Sequence, residues 1–101
     1  MSQQEHHHLL PGQELVEQGL ADLLQNRDTD LAFLVLIAAP RLRRLGILIP
    51  QSSFPKPYEH QLYERLNRRL GTGAHSYYNS LIRRLVSYER ALEREQSYTK
   101  L

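Results

Sequence analysis

Cysteine is absent from the 101 residues. Disulfides, thiolate metal sites and cysteine nucleophiles are therefore excluded by composition, and a reducing compartment, the cytoplasm, is the expected location. Long apolar runs are missing too. The longest, Leu31 to Ala39, spans nine residues, whereas a helix needs about 20 to cross a bilayer. The wider stretch to Ile49 carries Arg41, Arg43 and Arg44, each costly at a bilayer centre. Met1 to Leu10 has neither the basic start nor the apolar core of a secretory signal. Catalytic signatures are also lacking: there is no G-x-S-x-G, no Gly-rich phosphate loop, no H-E-x-x-H and no dinucleotide fingerprint. A soluble, non-catalytic chain without cofactor, metal centre or membrane contact is expected. No repeat or low-complexity segment modifies that view.

What is present is helical periodicity. The length suits one domain. Residues 1–10, with His6, His7 and His8, are polar and aperiodic and read as a disordered tail. A helical domain is expected over 11–101. After Pro11 and Gly12, the residues Leu15, Val16, Leu20, Leu23 and Leu24 draw one apolar stripe, with Glu14, Glu17 and Asp22 off it. Asn26 to Asp30 reads as a turn, with Asp28 or Thr29 as the next N-cap. Leu31 to Ala39 is apolar all round and reads as a buried central helix; a strand through Phe33–Ile37 is the alternative. Pro40 is expected to kink the chain or to begin a short helix to Leu45, with Gly46 as a stop. Three prolines between Pro50 and Pro57 exclude a helix interior there. Leu62, Leu66 and Leu70 then mark a helix from Tyr58 that Gly71 ends. A last helix from Ala74 into the 90s is marked by Tyr78, Leu81, Leu85, Tyr88 and Leu92, with a frayed end at Ser97 to Leu101. The expected fold is all-α, a compact single-domain bundle of four to five helices.

The net charge of +2 hides an asymmetry. Residues 1–30 hold six acids against Arg27 alone. Residues 31–88 hold eight arginines and Lys56 against Glu59 and Glu64. An acidic first segment and a basic middle attract each other, within one chain or between two, unless an external polyanion takes the basic part. Arginine outnumbers lysine eleven to two. Its planar fork suits phosphates and carboxylates. Six tyrosines, at positions 58, 63, 77, 78, 88 and 98, are interleaved with these arginines. His60 and Glu64 are four apart on one helix face, which is a surface pair before it is half a metal site. His75 belongs with a turn.

Two functional readings follow. In the first, the chain is a non-catalytic protein–protein interaction or regulatory protein, a homodimer, with Ile47, Leu48, Ile49, Phe54, Tyr77 and Tyr88 as its contact surface. In the alternative it is a nucleic-acid-binding regulator. Residues 58–86 then form a loose helix-turn-helix with Arg65, Arg68, Arg69, Asn79, Arg83 and Arg84 on the nucleic acid. Such motifs want a small residue where Asn67 stands, and the apolar positions after Gly71 fall one place late.

Overall fold

The computed structural model describes residues 9–99, and for residues 98 and 99 the backbone alone. The expected tail, with its three histidines, lies outside the described residues up to residue 8, as do residues 100 and 101 and the Tyr98 side chain. Leu9 and Leu10 are described, and Leu10 packs against the core.

Helix α1 spans Gln13–Leu24 and α2 spans Asp30–Arg44. Both end in the same hydrogen-bonded turn. At the end of α1, Asn26 takes φ +58°, its N–H reaches the Leu23 carbonyl, and the Arg27 N–H reaches the Asp22 carbonyl. At the end of α2, Gly46 takes φ +94°, its N–H reaches Arg43, and the Ile47 N–H reaches Leu42. This paired closure satisfies carbonyls that a helix end otherwise leaves open, and asparagine and glycine tolerate its left-handed residue. Thr29 starts α2: its Oγ1 accepts from the Ala32 N–H at 3.2 Å.

Phe33–Ile37 is helix, so the strand alternative is excluded. Pro40 neither breaks α2 nor starts a new helix; it sits inside it, exposed to solvent. Magnitudes explain this. A proline inside a helix costs roughly 3 kcal/mol. Burying Phe33, Leu34, Val35, Leu36 and Leu42, all at most 4% exposed, contributes about 1.5–3 kcal/mol apiece. Burial wins, and α2 continues for another turn.

Helix α3 spans Tyr58–Leu70 and α4 spans Ala74–Thr99, with a single 3-10 turn at Gly71–Gly73 between them. Helical residues therefore fall in three unbroken stretches, 13–24, 30–44 and 58–99. That corrects the expected four to five helices. Pro40 remains helical, whereas α3 ends at Gly71 as expected: with φ +58° there the chain turns through Gly71–Gly73 into α4.

Helix α2 lies at the centre and packs on α1, α3 and α4, whereas α1 and α3 do not meet. Asp30 at its start touches Arg69 near the end of α3, so α3 runs antiparallel to it. Arg41 touches Glu93, and Gln96 donates to the Leu45 carbonyl, so α4 runs parallel to it. Gly19 sets the spacing of α1 and α2: a Cβ there would overlap the Leu31 carbonyl oxygen and Val35 Cγ2. Gly12, at φ +76°, lies equally close to the Arg84 carbonyl of α4. Two expected core positions are corrected. Leu24 is 74% exposed and Leu70 is 42% exposed, because each lies in the last turn of its helix, beyond the packed face. Asp22 is the reverse case: placed off the apolar stripe by pattern, it is buried at 4% exposure. No helix among the described residues is long and apolar enough to cross a membrane.

Candidate interaction surface

The connector between α2 and α3 carries four of the expected contact residues, and the fold draws most of it inward. Ile49 is buried, and Ile47 and Phe54 pack against the core. The Phe54 ring lies 5.5 Å from that of Phe33. Arg43 holds the connector down: its Nη2 donates to the Ile49 carbonyl at 3.0 Å and to the Pro50 carbonyl at 3.3 Å. Leu48 alone of the four is fully outside, at 91% exposed. The Ile47–Phe54 stretch is therefore a strap folded over the core with one projecting leucine.

The tyrosines turn inward as well. Tyr88 is 6% exposed, which removes it from the surface; burial pushes its phenol above the usual range. Tyr63 and Tyr78 pack edge to face at 5.6 Å between α3 and α4. Tyr58 lies against Phe33. Tyr77, at 44% exposed, is the one outward tyrosine among those whose side chains are described. The interleaving of aromatic and basic residues along the chain is thus not an interleaving on the surface.

Apart from Arg43, the arginines divide into two groups. The first meets acids of the same chain. Arg84 donates to Glu14 at 2.9 Å, and Arg69 meets Asp30 at 2.9 Å. Arg65 donates to Asp30 at 3.2 Å, lies 3.7 Å from Asp28, and stacks 5.3 Å above the Phe33 ring. Arg41 meets Glu93 at 2.8 Å and the buried Glu89 at 3.9 Å. Burial raises the Glu89 carboxyl above its usual range, against the pull of Arg41. The acidic first segment and basic middle therefore meet within one chain. Arg65, Arg69 and Arg84, expected on nucleic acid, are held by carboxylates.

The second group has no ion pair or hydrogen bond among the described residues. It contains Arg44, Arg68, Arg83, Arg90 and Arg94, all exposed. Three of them share one helix face. Arg83, Ser87, Arg90 and Arg94 follow 4-3-4 spacing, one stripe of α4 on the side away from Leu81, Leu85 and Leu92. The stripe covers about 16 Å at 1.5 Å per residue. No acid lies on it: Glu89 and Glu93 sit on one flank with Arg41, and Glu95 on the other. Ser76 extends it towards the start of α4 and Ser97 towards its end. Asn79, expected to read bases, is half-buried beside it and bonds to His75 at 3.2 Å.

Pattern reading missed the stripe's lower half. Arg90 and Arg94 lie in a tail whose net charge is zero, and only the helix places their acids elsewhere. No group of three histidine or carboxylate side chains able to hold a metal occurs among the described residues, His60 and Glu64 included. Comparison of the chain with protein-family models, with curated proteins and with solved structures finds no match.

Proposed function

We propose that this chain is a non-catalytic helical interaction protein that docks an acidic protein surface along the outer face of α4. One observation carries the reading: Arg83, Arg90 and Arg94 stand exposed with no partner among the described residues, on an acid-free stripe, while the arginines around them are neutralised at home. Guanidinium forks on a rigid helix present carboxylate-matching donors at fixed spacing, and arginine is enriched where interfaces bind tightly.

A homodimer through this stripe would set like charges against each other. Two arguments for a homodimer, an exposed Ile47–Phe54 patch and acid–base pairing between copies, draw on groups already engaged within the chain. The docking reading therefore favours a different, acidic partner. The second reading, a nucleic-acid regulator, is favoured by the same stripe and by Arg68. Single-stranded nucleic acid is the weaker form of it, because the stripe lacks the stacking rings such sites use.

The test is fluorescence anisotropy with labelled poly-glutamate, duplex DNA and single-stranded RNA at two salt concentrations. The docking reading expects salt-sensitive binding of poly-glutamate that is lost in the triple variant Arg83→Ser, Arg90→Ser, Arg94→Ser. Tighter binding of duplex, lost in the same variant, would move the assignment to nucleic acid. Binding of none of the three would overturn both.

A further inference from the structure

A cavity of about 320 Å³ opens between the second half of α2, the connector and the start of α3. That volume is at the lower end of small-molecule sites. Its floor is apolar: Leu36, Ile37 and Ala39, which belong to the core or pack on it. Its rim is polar and carries Arg43, Ser52 and Lys56.

Each rim group has donor capacity left over. Arg43 uses Nε and Nη2 on the Ile49 and Pro50 carbonyls. Its Nη1 is therefore free, on a guanidinium already fixed by those bonds. The Ser52 Oγ accepts from the Phe54 N–H at 3.0 Å, which leaves its own proton to donate. Lys56 Nζ lies 5.9 Å from the centre of the Tyr58 ring, and no carboxylate pairs with it among the described residues. Glu59 is the one acid on the rim, so two cations face one carboxylate. An apolar floor beneath a net positive, donor-rich rim matches one ligand chemistry.

We infer that this cavity binds a small monocarboxylate with a compact apolar body, its carboxylate between Arg43 and Lys56 and its body on Ile37 and Ala39. The inference is independent of the α4 stripe, which lies on another helix.

The experiment is a two-dimensional ¹H–¹⁵N NMR titration of the chain with phenylacetate, with 2-phenylethanol as the uncharged counterpart of the same shape. The expected result is saturable shifts centred on Ile37, Ser52, Lys56 and Tyr58, and binding of the alcohol weaker by about tenfold or more. Lys56→Gln removes an exposed charge that holds no ion pair, so the fold is retained, and it should weaken phenylacetate about fivefold. No saturable shift up to ~10 mM ligand, affinity beyond which a built site would be pointless, would overturn the inference. So would equal affinity for the alcohol, shifts centred elsewhere, or an unchanged Lys56→Gln variant.

Discussion

Asp22 collects more interactions than any other side chain at the turn between α1 and α2. Its Oδ1 accepts from Arg27 Nη2 at 2.9 Å and from Gln18 at 3.1 Å, and its Oδ2 accepts from the Thr29 hydroxyl. Thr29 in turn caps α2, so one carboxylate ties the end of one helix to the start of the next. The Thr29 hydroxyl first, and then Arg27, hold the Asp22 carboxyl below its usual range. A carboxylate whose folded pKa lies below its unfolded value, about 3.9, adds stability above that value and loses it as pH falls through the folded pKa. Asp22→Asn should therefore destabilise the protein at neutral pH and flatten the acid limb of its stability curve; urea melts from pH 7 downwards check both. Gly19 is the second position of this kind. Gly19→Ala forces a methyl into the Leu31 carbonyl and Val35, at a cost of about 1–3 kcal/mol. Gly73→Ala is the control: its nearest neighbour would be Leu70 Cβ at an ordinary 3.9 Å. Equal denaturant midpoints for the two variants would remove Gly19 as the residue that sets the α1–α2 spacing.

Among the elements, α2 has the composition that decides the architecture. Eight of its 15 residues are buried, on more than one face, so three other helices find surface to pack on. That burial also carries it through Pro40. Because the proline is exposed and its ring is not part of the core, Pro40→Ala should restore a helical N–H at little packing cost. The expected gain is ~1 kcal/mol or more, within the roughly 3 kcal/mol that separates the two residues in a helix interior. A thermal melt that shifts upward meets this; a downward shift would mean that the chain's path past Ala39 depends on the ring. Helix α4 is the opposite kind of element. Over 26 residues it keeps one face apolar, gives one flank to Arg41 and the other to Glu14, and leaves the outer side basic.

Across the whole molecule, charge is sorted by the fold and not by the chain order. Glu14, Asp28 and Asp30 meet arginines 35 to 70 residues away, and the surplus positive charge emerges on α4. These two populations should respond differently to mutation. Asp30→Asn removes the partner shared by Arg65 and Arg69 and leaves a half-buried guanidinium over Phe33; a loss of about 1–2 kcal/mol is expected. The triple substitution of Arg83, Arg90 and Arg94 by serine removes no ion pair, and its stability should change by less than ~0.5 kcal/mol at each position. A large loss in the triple variant would show that the stripe supports the fold, and its assignment as a docking face would fall.

The local instructions were legible in the residues. The stripes of α3 and α4, the glycine stop after α2, the turn at Asn26–Asp30 and its threonine cap all follow from spacing and side-chain chemistry within a few positions of each other. So did the all-helical class. What pattern could not supply was any competition between distant terms. Pro40 read as a kink or a new start because its local cost is visible in the sequence, whereas the burial that carries α2 through it comes from three other helices. Asp22 looked like a surface acid because its partners lie across a turn. Whether Ile47–Phe54 is exposed or folded over the bundle could not be read from its residues alone; Arg43 and Phe33 draw it inward. The arginines and tyrosines looked like one mixed surface because they alternate along the chain. Only the packing of α1, α3 and α4 around α2 decided which of them face carboxylates, which face the core, and which arginines of the described residues have no partner.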